Sequence, residues 1–240
     1  MEIGRDGGRD DPALPNDNAP HATLPARVTD HMVRAGCRLL AALWSVLGLR
    51  AAAATLRHYL DGTGTPYVLD ADRLLAVPAV RAAVASQPRR WRTEAPEAPG
   101  TYPADSGWRG VLVARRDSLD WWLALRGVQY RVRGTVTVAP DGTRTTEIHS
   151  VAFHKSWNFD RGESEYGIPF TPFARLHETG LAREFEAVGE AVSGTTAASR
   201  SRRPSRSTAG PAGSSRSRTA GTRRRPTLRR GSRRAPFRGP

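Results

Sequence analysis

A chain of 240 residues is long enough for one domain with appendages. Its formal charge of +14 sits wholly at one end: residues 199–240 hold 14 arginines and no acid, which leaves 23 basic and 23 acidic side chains in residues 1–198. The body is neutral, so basicity speaks for nucleic-acid contact only in the tail. A lone cysteine, Cys37, excludes an intrachain disulfide and a cysteine-built zinc site.

Residues 1–30 are rich in Gly, Asp, Pro and Asn without an apolar period and are predicted to be a disordered leader. The apolar block Leu39–Leu49 follows, between Arg38 and Arg50. It is too short for a membrane-spanning helix, which needs roughly 20 residues, so no transmembrane helix is expected. Two readings stay open. One is a core helix continuing through Ala51–Leu60, with Arg34, Arg38 and Ser45 on one face. The other is a signal peptide, if translation begins at Met32; the protein is then secreted or at the cell surface, and otherwise cytoplasmic. Gly62, Gly64 and Pro66 end the helix. Asp70 caps a turn through Leu75, and Pro78 opens a further helix. The segments are therefore 31–87, helical, and 88–106, a Pro-, Glu- and Arg-rich linker.

The module 107–192 follows. Gly107–Ala114 suits a strand, and Ser118 or Asp120 caps a short turn bearing Trp121 and Trp122, which Gly127 ends. From Val128 the chain alternates strictly: Val128, Tyr130, Val132, Gly134, Val136 and Val138 fall on one face, with polar residues between. That is a strand with one buried face. Pro140-Asp141-Gly142 supplies the turn and Glu147–His154 the return, giving a β-hairpin. Beyond the polar loop Trp157–Gly167, Thr171 caps one short helix that Gly180 stops, and Leu181–Val188 reads as a second. The expected class is α+β: an N-terminal helical segment, a small antiparallel sheet built on the hairpin, two short C-terminal helices and disordered termini. Residues 193–240 bury too little to offset chain entropy and form an Arg/Ser/Pro-rich tail.

No catalytic constellation is sharp. There is no His-x-x-x-His, no Gly-rich phosphate loop and no nucleophile elbow, so neither cofactor nor metal is assigned. Asn158, Asp160, Glu163 and Glu165 surround Gly162, but their spacing is not that of an EF-hand, and a solvated loop is the simpler reading. His149 and His154 are five apart on one strand, which points them to opposite faces and denies them a shared metal. Trp121, Trp122, Trp157 and Phe159 are read as core. The candidate catalytic residues are Lys155, Asn158 and Asp160, between the hairpin and the loop that follows.

The order of a Trp-rich turn, Leu-x-Gly, an alternating strand into Gly-Thr-Val-Thr-Val, Asp-Gly, a return strand and Trp-Asn-Phe-Asp-Arg-Gly resembles a C-terminal module of actinobacterial proteins with a polymorphic-toxin or secreted-effector layout. Leu56–Gly64 and Leu176–Phe185 fit the same module, over about residues 50–190. The hairpin is also distantly similar to the toxin domain of colicin M-type bacteriocins. That resemblance implies cleavage of a lipid-linked peptidoglycan precursor, through an Asp-x-Tyr-Asp-aromatic segment. Lys155, Trp157 and Asn158 stand at the matching positions, so the acids and the tyrosine are missing and that chemistry is not expected. The resemblance implies a bacterial secreted or surface-acting effector, with a cell-envelope component as partner. A structural or binding domain without catalysis is the alternative. A further one is nonspecific nucleic-acid binding through the tail, unless that tail is out-of-frame sequence.

Overall fold

The computed structural model describes residues 2–4, 18–165 and 167–192. In chain order its elements are α1 (Val28–Val46), α2 (Arg50–Asp61), β1 (Tyr67–Val68), α3 (Ala71–Leu75), α4 (Pro78–Glu94), β2 (Gly100–Asp105), β3 (Arg109–Leu112), α5 (Leu119–Ala124), β4 (Gly127–Val138), β5 (Arg144–Trp157), β6 (Ser164–Glu165), β7 (Ile168–Pro169), α6 (Thr171–Glu178) and β8 (Phe185–Val192). The class is α+β. The main sheet has six strands in the order β1-β8-β5-β4-β2, with β3 also pairing β4. Among the described residues β1 and β8 pair in parallel, Ile3 adds a single parallel bridge to Ala104 of β2, and β6 and β7 form a separate ladder.

The β4–β5 hairpin is the centre of this sheet. Its alternating residues Val128, Tyr130, Val132, Val136 and Val138 are buried, as a strand with one core face requires. Gly142 closes the turn at φ 84°, and Asp141 accepts the Thr143 amide at 2.8 Å. The register slips between Arg133 and Gly134, whose partners are Ser150 and Ile148, so His149 is the extra residue of a bulge. A Cβ on Gly134 would lie 2.1 Å from the Glu147 carbonyl oxygen and 3.1 Å from the Trp91 ring. Glycine is what lets the two backbones and that ring meet here.

Helix α4 covers this face. Trp91 and Val80 are fully buried, and the Tyr130 hydroxyl accepts from Gln87 Nε2 at 3.1 Å and donates to the Ala83 carbonyl at 3.4 Å. Tyr59 of α2 is likewise enclosed; its hydroxyl donates to the Phe173 carbonyl at 2.8 Å, and its ring meets Trp157 and Phe159. Each such large apolar group contributes on the order of 1.5–3 kcal/mol by leaving water. Helix starts use side chains as caps. Asp70 accepts the Arg73 amide at 3.0 Å, Ser118 accepts that of Trp121 at 3.3 Å, and Asp120 reaches across to the Ala51 and Ala52 amides at the head of α2.

Five expectations need correction. Residues 88–106 are not a linker: α4 runs through Pro88 to Glu94, and β2 pairs with β4 from Gly100↔Val138 to Asp105↔Arg133. Leu181–Val188 is not a second helix. Phe185 and Ala187 alternate into the core as part of β8, because β5 offers an open edge along Ser150–Trp157. Gly127 opens β4 rather than closing the turn; the residue with positive φ is Arg126, at 54°. The apolar block does not continue into Ala51–Leu60 as one helix, since the chain breaks at Leu47–Gly48, with Gly48 at φ 77°. Within the leader, residues 18–30 are ordered: Ala22 and Leu24 donate backbone amides to the His177 and Glu178 carbonyls, and Val28 opens α1. Met1, residues 5–17 and the tail 193–240 lie outside the described residues.

Candidate functional site

Where β3, the start of β4 and the end of β5 meet, the sheet leaves a cleft of about 690 Å³. Val111, Leu112 and Val128 give it an apolar wall; Gln129, His154, Lys155, Asn158 and Asp160 give it a polar one. The three residues singled out from the sequence therefore line one space. Lys155 is carried on β5 opposite Ala187 and is half-buried. Burial holds its ammonium below the ordinary lysine value; Asp160 and Glu186 oppose that shift, and Arg126 adds to it. Asn158 Nδ2 donates to Asp160 Oδ1 at 2.6 Å. The exposed Asp160 carboxylate is thus aimed by its neighbour two residues back.

Beside Lys155, two groups converge on one acid, and a glutamine backs one of them. His154 Nε2 lies 2.6 Å from Glu186 Oε2, Ser156 Oγ donates to the same oxygen at 3.1 Å, and His154 Nδ1 faces Gln129 Oε1 at 3.3 Å. A serine nucleophile needs the imidazole between hydroxyl and acid. Here the carboxylate is in the middle, so this set positions side chains and does not activate Ser156. The bulge at His149 also undoes the parity argument. Inward positions change from Ile148 to Val151 across it, so His149 and His154 share the outward parity. They still serve apart, His149 facing Thr135 Oγ1 at 3.5 Å. Among the described residues, no group of three or more His, Cys, Asp or Glu gathers to hold a metal.

Ser156 and Asn158 also line a second cavity of about 360 Å³, with His21, His177, Arg183 and Glu184. His177 Nδ1 accepts the Glu184 amide at 3.1 Å, which leaves the proton of the neutral ring on Nε2. The rings of His21 and His177 meet edge-on at 5.3 Å. Burial, then the charge of Arg183, lower both imidazoles below the usual histidine value. Sequence reasoning missed His21 and Glu186, since one lies in the supposed leader and the other in the supposed helix. Of the aromatics expected as core, Trp121 and Trp157 are buried in it, and Trp122 and Phe159 pack against it half-buried. Trp157 stacks on Phe185 at 5.2 Å and 12°, and its Nε1 donates to the Ala124 carbonyl at 2.6 Å. The polar loop is tied down by Arg161, whose guanidinium pairs with the fully buried Glu178, and by Asn18 Nδ2, which donates to the Phe159 carbonyl at 2.6 Å.

Two solved structures are similar to part of this chain. PaeM, a colicin M-like bacteriocin produced by Pseudomonas aeruginosa, shares 14% identity at a TM-score of 0.38, over 60% of this chain and 51% of its own. The truncated bacteriocin syringacin M, from Pseudomonas syringae pv. tomato, shares 15% identity at a TM-score of 0.32, over 59% of this chain and 60% of its own. This chain thus spans about half the length of PaeM. The distant likeness to colicin M recurs here as a partial one, and at these values it says nothing of activity or substrate. No family model and no curated protein matches the chain. Among the described residues, no helix is long and apolar enough to cross a membrane.

Proposed function

We propose that this chain is a toxin-like effector module that engages a component of the bacterial cell envelope through the cleft at the end of its hairpin. The observation that carries this reading is the convergence of Lys155, Asn158 and Asp160 on one cleft, with a lysine that burial makes easier to deprotonate. Such an amine is a better proton acceptor near neutrality than a solvated one, and perturbed groups in clefts mark functional sites more often than surface ones do. The envelope as target follows from the resemblance of the hairpin segment, not from the cleft. Colicin M-type chemistry is not part of the proposal, because Lys155, Trp157 and Asn158 replace the acids and the tyrosine it would use.

One observation favours the second reading, a binding domain without catalysis: Ser156 and His154 are both committed to Glu186. Growth of a bacterial host expressing the full chain, once retained in the cytosol and once exported, separates the two. Growth arrest on export alone is the expected result. Arrest only in the cytosol would contradict an envelope target. No arrest in either place, with soluble folded protein in hand, would favour the binding domain.

A further inference from the structure

Helix α1 is apolar on two opposite faces. Its inner face buries Cys37 and Ala41. Its outer face carries Val28, Met32, Leu39, Leu43 and Val46, continued by Leu47, and these side chains are between 52% and 85% exposed. Seven of the thirteen large apolar side chains exposed among the described residues fall on α1 and its C-cap, counting Leu40. A helix that is apolar all round is normally covered on both sides, and a patch of this extent marks a contact surface. This is the same block that reads from the sequence as core or as a signal segment.

We propose that this outer face of α1 lies in the surface of an anionic lipid bilayer. Charge selects that occupant. Arg27 and Arg38 of the α1 segment and Arg50 and Arg57 of the adjoining α2 are exposed, and Arg57 reaches the Ala41 carbonyl at 3.3 Å. The one acid of α1, Asp30, is buried against Arg175. A second copy of the chain would set arginine against arginine, with no exposed acid on either helix to answer it. A helix of 19 residues, about 28 Å long, can lie flat with leucines among the acyl chains and arginines at the headgroups. The inference does not rest on the cleft or on its target.

The test is co-sedimentation of the full chain with vesicles of equal phosphatidylglycerol and phosphatidylcholine. About 0.5 M NaCl is included so that the arginines of residues 199–240 lose most of their electrostatic hold. The wild type is expected to pellet with the vesicles. The triple variant Leu39→Ser, Leu43→Ser, Val46→Ser is expected to bind about tenfold less or weaker still, since each exposed leucine withdrawn from lipid forfeits its transfer energy. Its thermal midpoint should stay close to the wild type, because these side chains are mostly exposed. Equal pelleting of both proteins, or a wild type left in the supernatant, would overturn the proposal. So would a dimer in sedimentation velocity that the same substitutions dissolve while vesicles stay unbound, which would give the face to a second copy.

Discussion

His154 Nε2 and Glu186 Oε2 stand 2.6 Å apart across β5 and β8, and Glu186 is one of two acids, with Asp160, that oppose the lowering of the neighbouring Lys155 by burial. Lys155 is the only lysine in the chain, so reductive methylation with a carbon-13 label reports on it and the N-terminus alone. Its titration midpoint is expected below the ordinary value of about 10.4. Glu186→Gln and Asp160→Asn should each lower it further, since both acids favour the charged amine, and Arg126→Gln should raise it. A midpoint at the ordinary value, unmoved by these changes, would mean that the amine stands in water.

The ion pair between Asp30 of α1 and Arg175 of α6, at 2.9 Å, has a pH signature. The Arg175 guanidinium holds the Asp30 carboxyl below its usual range, against the opposing pull of burial. The pair therefore stabilises the fold above the unfolded carboxyl value of about 3.9, and that contribution is lost as pH falls through the lower folded value. Asp30→Ala is expected to destabilise the fold at neutral pH, because it leaves the Arg175 guanidinium without its carboxylate. The gap to the wild type should close in acid, as read by urea unfolding at neutral and acidic pH.

Gly134→Ala should cost about 3 kcal/mol or more, since its Cβ would collide with backbone at the bulge. Gly36→Ala is the control. It sits in α1 with no atom within 4 Å of the new Cβ, and it is expected to stabilise by about 0.5–1 kcal/mol through helix propensity. Thermal unfolding of both variants checks the contrast.

Trp157→Phe keeps a ring against Phe185 but removes the donor to the Ala124 carbonyl. The expected loss is about 1–3 kcal/mol, the penalty of leaving that buried acceptor unpaired. Denaturant unfolding should show the drop without a change in m-value.

What was legible in the sequence was local. Period-two alternation from Val128 and the Pro140-Asp141-Gly142 turn mark β4, β5 and their register as far as Arg133, and capping residues mark the starts of α3 and α5. What was not legible depends on distant partners. Pro103 made β2 look like a linker, yet β2 is the last strand on its side of the sheet, where a missing amide costs least. Gly189, which follows the supposed second helix, lies within β8, where a Cβ would press on Leu69 at 3.1 Å. Lys155, Asn158 and Asp160 were singled out because they stand at the end of the hairpin and just after it, and they line one cleft. Glu186 and His21 reach the same region from β8 and from the segment before α1, and no local pattern announces either. The outward face of α1 was hidden for the opposite reason: leucines in a helix look alike whether they face core or lipid.

The most direct measurement is growth of a host that exports the full chain, comparing wild type with Lys155→Met and Asp160→Ala at equal levels of folded protein. Methionine keeps the bulk of the lysine stem and removes the amine. If the cleft carries the function, the wild type arrests growth and both variants relieve it. Arrest by all three proteins alike would place the function elsewhere on the molecule and contradict the cleft as its site.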